Sequence, residues 1–382
     1  MTVPEDTEVK PVDTKAKITK DKLGFIDALR GIACLSIFIY HLNSKLFSVY
    51  IDSPQSLGPF IKFAGYGVAL FFIISSFTLY LSLETKKDEN NRFMKFYIRR
   101  LFRIAPLFYT MLIVFLIKDL IALQKLPSAL EILMNILFIF NLSSTYYQSI
   151  VTAGWTIGVE MLFYLWLPLI FVVVNSWRRS LAFVGAAILL YGLTKMLFSG
   201  IFLDEFINYK TMNFLSQLPV FAIGIVCYFA YKYYIPKVRD VYRIPSSLLL
   251  LALSFCIFYA VVTSKISYII PQELGITRHW WEALAFSLLF LSLSLYSNGL
   301  IVNRATRFYG KISYSFYLVH PLLLEALIPA YLYIAHSTLP LMVALCLCLL
   351  LSILVATPIA MLTYRLIESP GMRYGKQIIA RL

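Results

Sequence analysis

Between Gly24 and Leu42 the chain reads GFIDALRGIACLSIFIYHL, an apolar run that nevertheless carries Asp27, Arg30 and His41. Membrane interiors exclude these residue types unless they are paired or put to use. In a helix, the spacing of Arg30 and His41 brings them nearly onto one face, roughly 16 Å apart along the axis. Each alone has an ordinary explanation, an arginine snorkelling to the headgroups and a histidine satisfied by a backbone carbonyl. Together on one stripe they point to a site where a cation near one membrane surface and an imidazole deeper in the bilayer serve the same ligand.

Three further stretches carry groups of this kind. FYIRRLFRIAPLFY contains Arg99, Arg100 and Arg103 just before Pro106. Such a cluster can simply set topology against lipid phosphates, but beside a helix start it also suits an anionic ligand, because guanidinium groups bind phosphate bidentately. AGWTIGVEMLFYLWLPLI places Glu160 in an early turn of an apolar helix. There it could favour the positive helix end or meet His41 across helices as an orienting carboxylate. ISYSFYLVHPLLL sets His320 beside Pro321, with Tyr314 and Tyr317 on neighbouring turns. That histidine can bond a carbonyl freed by the proline or line a ligand. Asn213 and Gln217 form a polar patch that could line an acceptor site, although helix packing explains it as well.

The elements that must position these groups are membrane helices. Hydrophobic residues make up 60% of 382, and mean hydropathy is +0.76, far beyond a soluble domain. Ten apolar runs can cross a bilayer, at about 25–46, 61–83, 105–123, 157–175, 181–199, 214–234, 245–264, 279–296, 314–335 and 339–364. A run at 129–143 is shorter and carries Glu131, Asn135 and Asn141. If it does not cross, 25 of the 34 basic residues fall on one side, as the positive-inside rule requires. The expectation is therefore an all-α bundle of about ten spans with both termini cytoplasmic and an outer, non-spanning segment near 129–143. Residues 1–22 read as a disordered cytoplasmic tail without a signal peptide, 23–368 as the membrane domain and 369–382 as a second cytoplasmic tail. The net charge of +14 follows from basic cytoplasmic loops and does not indicate nucleic acid. The five cysteines lie in apolar runs without ligand spacing, so no metal is expected.

In this order the blocks resemble the acyltransferase-3 family of integral membrane O-acyltransferases, common in bacteria. FIDALRGIACLSIFIYH is similar to its opening Arg-x10-His motif, GYGVALFFIISSFTLYLS to its Gly-Val-x-Phe-Phe-x-x-Ser-Gly segment, and FYIRRLFRIAPLFY to its RRxxR element. GWTIGVEMLFYLWLP is similar to Trp-Ser-Leu-x-x-Glu-x-x-Phe-Tyr-x-x-x-Pro, and ISYSFYLVHPLLL to the late Ser-Tyr-x-x-Tyr-Leu-x-His-Pro signature. Two positions depart from the pattern: Ser76 stands where glycine is usual and Thr156 where serine is usual.

The resemblance implies transfer of an acyl group, most often acetyl from acetyl-CoA, to a hydroxyl of a cell-envelope glycan or lipid-linked sugar, in the bacterial cytoplasmic membrane. Arg30, Arg99, Arg100 and Arg103 are then associated with the acyl-CoA, and His41 with catalysis, as a general base oriented by Glu160. Asp27, Ser75, Trp155, Thr156, Tyr317 and His320 are candidates for lining the substrate site. The rival from another class is a secondary transporter or flippase using Arg30, His41, Glu160 and His320. Such proteins commonly carry internal repeats, and the motif-rich first four spans have no counterpart in the last six.

Overall fold

A backbone among lipid tails must satisfy its own N–H and C=O groups, and a helix does so within one segment. In the computed structural model, which describes residues 23–47, 64–198, 208–263 and 278–382, the described residues form helices and no strands. The expected tail at 1–22 lies outside them. The chain runs through α1 (Gly24–Phe47), α2 (Gly67–Thr85), α3 (Arg92–Leu123), α4 (Ala129–Ile136), α5 (Trp155–Val173), α6 (Trp177–Phe198) and α7 (Phe214–Tyr233). It continues through α8 (Asp240–Val262), α9 (Arg278–Leu295), α10 (Arg304–Lys311), α11 (Ser313–Ala326), α12 (Ile328–Ala335), α13 (Leu341–Thr363) and α14 (Ser369–Ala380).

Among the described residues eight helices are long and apolar enough to cross a membrane, or nine when α11 and α12 count as one broken span. Those two meet at 53°, with Pro329 at the start of α12 unable to continue the hydrogen-bond ladder. The run expected at 279–296 is α9, whose apolar part Trp280–Leu295 is shorter than the rest. Every one of the ten expected spans thus has helix in its place, while the count by length and composition is eight or nine.

Two boundaries differ from expectation for physical reasons. The helix that carries the run expected at 105–123 begins at Arg92, so Arg99, Arg100 and Arg103 belong to α3 itself. A hydropathy window misses these turns because their cations face into the bundle. Residues after 368 are also helical, and α14 packs on α3, with Gly371 against Pro106 and Gly375 against Phe102. A five-residue π-turn, Tyr364–Glu368, joins α13 to α14.

The 129–143 run holds the eight-residue α4, about 12 Å long, then a turn at Phe138 and a short helical turn at Phe140–Leu142. Its asparagines are buried hubs. Asn135 Oδ1 accepts from Ser149 Oγ (2.6 Å) and the Ile150 amide (3.2 Å), and Asn141 bridges the Met212 carbonyl and the Phe214 amide. Asn213 and Gln217 likewise do structural work, Asn213 capping α7 through the Ser216 amide and Gln217 donating to the Thr211 carbonyl.

At the centre, α1 packs on α2, α10 and α11, and α7 packs on α2. Close approach at two helix pairs demands glycine. A Cβ on Gly310 would lie 1.7 Å from the Asp27 carbonyl oxygen, and one on Gly224 would lie 1.9 Å from Ser76 Oγ and 2.6 Å from the Ile73 carbonyl oxygen. Ser76, the residue that departs from the family pattern, fits because Gly224 faces it; its hydroxyl bonds back to Phe72 and Ile73. Peripheral faces carry exposed Leu189, Leu193, Leu249, Phe255, Leu350 and Leu354, as lipid contact requires. Gly224→Ala should therefore destabilise the bundle by about 1–3 kcal/mol through overpacking. Gly192→Ala, with open space around it, should leave the melting temperature of the detergent-purified protein within a degree or two of the parent or slightly above it.

Candidate active site

One stripe of α2, formed by Val68, Phe71, Phe72, Ser75 and Thr78, faces a partly open cavity. Residues three and four apart share a helix face, so the stripe measures the cavity's length at about 15 Å. Opposite it stand Thr156, Ile157, Glu160 and Tyr164 of α5, Arg100, Arg103 and Ile104 of α3, Ser313, Tyr314 and Tyr317 of α11, and Arg30 of α1. The end near Thr78 gathers the arginines and Tyr164; the end near Val68 is uncharged, with the Thr156 and Tyr317 hydroxyls among apolar side chains.

At the arginine end, Arg30 donates to Thr78 Oγ1 (3.2 Å) and lies 3.6 Å from Asp27, which itself is half exposed and does not line the cavity. No carboxylate of the described residues comes within salt-bridge distance of Arg100 or Arg103. The Arg100 Nε is buried without a hydrogen-bond partner. The guanidinium of Arg100 sits between the rings of Phe96 (5.8 Å) and Tyr164 (6.0 Å), which stabilise a cation without neutralising it. Arg99 differs from expectation. It is committed to Glu89 by two bonds of 3.1 and 2.8 Å and is not among the cavity's residues, because adjacent helical positions point about 100° apart. That hydrogen bond, in the loop before α3, holds the Glu89 carboxyl below the ordinary carboxylate range.

Glu160 occupies the middle of the cavity wall. It accepts from Ser75 Oγ and from the Tyr164 hydroxyl (2.5 Å), so its charge is shared by two donors. The expected Glu160–His41 pair does not form. Ser75, which bonds Glu160, lies one turn from Thr78, the partner of Arg30, so Glu160 stays on the Arg30 side and does not reach His41. The cause is the segment before α5. Phe140, Ile150 and Val151 are buried in the bundle, so α5 starts below the surface and carries Glu160 inward.

His41 instead meets His320. His41 Nδ1 and His320 Nε2 are 2.8 Å apart with their rings stacked, and His320 Nδ1 is 3.2 Å from the Phe316 carbonyl oxygen. A carbonyl only accepts, so His320 carries its proton on Nδ1 and offers a lone pair at Nε2. His41 must then donate from Nδ1, which leaves its own Nε2 unprotonated and available as a base. His320 is 1% exposed, and neither histidine lines the cavity; Tyr317 stands between, its ring 5.7 Å from that of His320. The Tyr317 hydroxyl donates to the Ala153 carbonyl (3.0 Å) and accepts from Thr156 (2.9 Å), so the threonine at this departing position keeps a hydroxyl in service.

Of the sequence candidates, Arg30, Ser75, Arg100, Arg103, Thr156, Glu160 and Tyr317 come together around one cavity. His41 and His320 pair beyond its apolar end, and Trp155 packs edge-on against Phe72 outside the lining. Thr78 and Tyr164 were missed, although each stands one helical turn from a candidate on the same face. Tyr314 and Glu368 were also passed over as site residues. Tyr314 donates to the Ile104 carbonyl (2.7 Å), and the buried Glu368 accepts from Ser315 (2.6 Å) with Arg103 the foremost cation acting on it.

A family model described as an acyltransferase domain matches residues 23–361. A provisionally named acetyltransferase of Acidianus two-tailed virus is 25% identical over 79% of this chain and 83% of its own length. A provisionally named O-acetyltransferase of Staphylococcus aureus (strain COL) is 25% identical over 92% of this chain, which spans 57% of that relative. The peptidoglycan O-acetyltransferase OatA of Listeria monocytogenes is 26% identical over 41% of this chain and 25% of its length. No solved structure matches the chain.

The histidine geometry predicts a spectroscopic outcome. With only four histidines in the chain, 15N NMR of histidine-labelled protein should resolve two Nδ1–H tautomers, those of His41 and His320. His320→Ala should move the His41 signal as well as remove its own; an Nε2–H tautomer at His41 would contradict the hydrogen-bond order.

Proposed function

Because the chain belongs to the acyltransferase-3 family of integral membrane O-acyltransferases, we propose that it moves an acyl group from an acyl-CoA to a hydroxyl of a cell-envelope glycan. The names of its relatives favour acetyl-CoA as donor, and the Listeria relative favours a glycan such as peptidoglycan as acceptor. The protein is a multi-pass membrane protein, and the reading sets it in a bacterial-type cell membrane with the arginine end of the cavity toward the cytoplasm.

The observation that carries the proposal is a cavity with two guanidinium groups that form no salt bridge among the described residues at one end and a tautomer-ordered histidine pair just past the other. Buried cations without carboxylate partners are costly in an apolar bundle, and a ligand bearing phosphates repays that cost. Arg30, Arg100 and Arg103 hold the donor's phosphates by charge-assisted bonds. Glu160 fixes Ser75 and Tyr164 in the wall and lowers the net positive charge of the cavity. The thioester then reaches the Tyr317 end, and the acceptor arrives from the side of the histidines.

In the reaction, His41 Nε2 takes the proton of the acceptor hydroxyl as its oxygen attacks the thioester carbonyl carbon. The C–S bond breaks, the ester forms, and the leaving thiolate receives the proton from His41. His320 is a positioning residue: it holds the His41 ring and stabilises the imidazolium through the Nδ1 bond, as a carboxylate does in other histidine pairs.

Purified protein in nanodiscs should transfer labelled acetyl from acetyl-CoA to a soluble muropeptide or glycan acceptor, which a transporter would not do. His41→Ala should lower kcat by about 10² to 10⁴ with donor KM little changed. Arg103→Gln should chiefly raise donor KM, whereas Arg99→Gln should leave it within about twofold. A folded His41→Ala protein at full rate would refute the base assignment, and equal effects of the two arginine changes would refute the donor assignment.

A further inference from the structure

The geometry points to Phe71, backed by Tyr317, as the residue that limits the length of the transferred acyl group to two or three carbons. This rests on the donor reading given above and adds a specificity determinant to it. With the donor phosphates at the arginines, the thioester arm lies along the α2 stripe toward Val68. That arm contains two amide links and is about four peptide units long, roughly 14 Å when extended. The corridor from Thr78 to Val68 is about 15 Å, so the arm takes up nearly all of it and the acyl group lies at its far end, toward which the Phe71 ring tilts as helical side chains do.

The wall is braced at Tyr317. Phe71 stands on a regular turn of α2, edge-on to Tyr317 at 6.0 Å. Tyr317 is fixed at its hydroxyl by Thr156 and the Ala153 carbonyl. Behind Tyr317 lies the ring of His320, itself fully buried among Phe38 and Phe316. The residues beside this end, Val68, Phe72, Ile157 and Thr156, carry no charge, which also disfavours an acyl group ending in a carboxylate, since its charge would be desolvated there without a cationic partner. Shortening Phe71 removes the ring that meets the chain while leaving the Tyr317 bolt and the histidine pair in place.

The test is the ratio of kcat/KM for hexanoyl-CoA to that for acetyl-CoA, measured on the full-length protein in nanodiscs with one acceptor. The parent should favour acetyl by 100-fold or more. Phe71→Ala should raise the ratio at least tenfold, with Phe71→Leu in between, as expected when a few methylenes gain room in an apolar pocket. A parent that uses both thioesters equally, or a ratio that moves less than twofold in both variants, overturns the assignment. Where Phe71→Ala folds poorly, Phe71→Leu decides alone, by whether its ratio rises more than twofold above the parent's. If the parent consumes no thioester of any length, the donor reading itself fails and this inference falls with it, a result distinct from equal use of the two.

Discussion

Guanidinium charge inside an apolar bundle is the constraint from which the remaining structure follows. Arg30, Arg100 and Arg103 project from two helices into one cavity, and among the described residues only Arg30 has a carboxylate within salt-bridge distance, at a partly exposed Asp27. Desolvating such groups is unfavourable by several kcal/mol each when nothing compensates. The bundle compensates in part. Thr78 accepts from Arg30, aromatic rings flank Arg100, and Glu160 and Glu368 bring negative charge into the neighbourhood, each tied to hydroxyl donors of the surrounding helices. What remains uncompensated is the capacity to bind an anion, and the fold keeps that capacity by clamping α1 to its neighbours through glycine contacts too close for any side chain.

Much of this was legible in the sequence, because charged and polar residues in apolar runs are few and each has to be explained. The spacing of Arg30 and His41 on one helix, the RRxxR cluster and Glu160 all lead to the same corner of the protein. Pairings across helices were not legible. Which carboxylate or imidazole faces His41 depends on how deep α5 starts, and that depth is set by the burial of Phe140, Ile150 and Val151 in a segment whose polarity suggested a surface position. Arg99 shows the same limit at smaller scale. Its type matches its neighbours, yet a rotation of one residue on α3 turns it to Glu89 and away from the cavity. Helix ends were not legible for a related reason, since hydropathy marks the end of an apolar run and not the end of the helix that carries it.

The segment between α4 and α5 is also where the backbone is least relaxed. Phe138, Ser149 and Ala153 all adopt left-handed angles, with φ of 58°, 72° and 66°, at a cost of about 1–2 kcal/mol each for residues with a side chain. Such conformations persist where their surroundings over-determine them. Here Asn135 holds one end of the loop and Tyr317 with Thr156 the other. The same hydroxyl contacts that seat Tyr317 therefore also pin a strained turn, which couples the wall of the cavity to the connection leading into α5.

The ordered chain from the Phe316 carbonyl through His320 to His41 is closed at one end. His320 spends its Nδ1 proton on that carbonyl, and a carbonyl oxygen has no proton of its own to pass on. A proton arriving at His41 can shift as far as His320 and then finds no exit, so the pair is a cul-de-sac and not a wire. Whatever His41 removes from one partner in a reaction it must return to another on the same side of the ring. Turnover by such a pair is internally balanced, moves no net charge across the bilayer, and should be indifferent to the membrane potential that drives proton-coupled carriers of similar size.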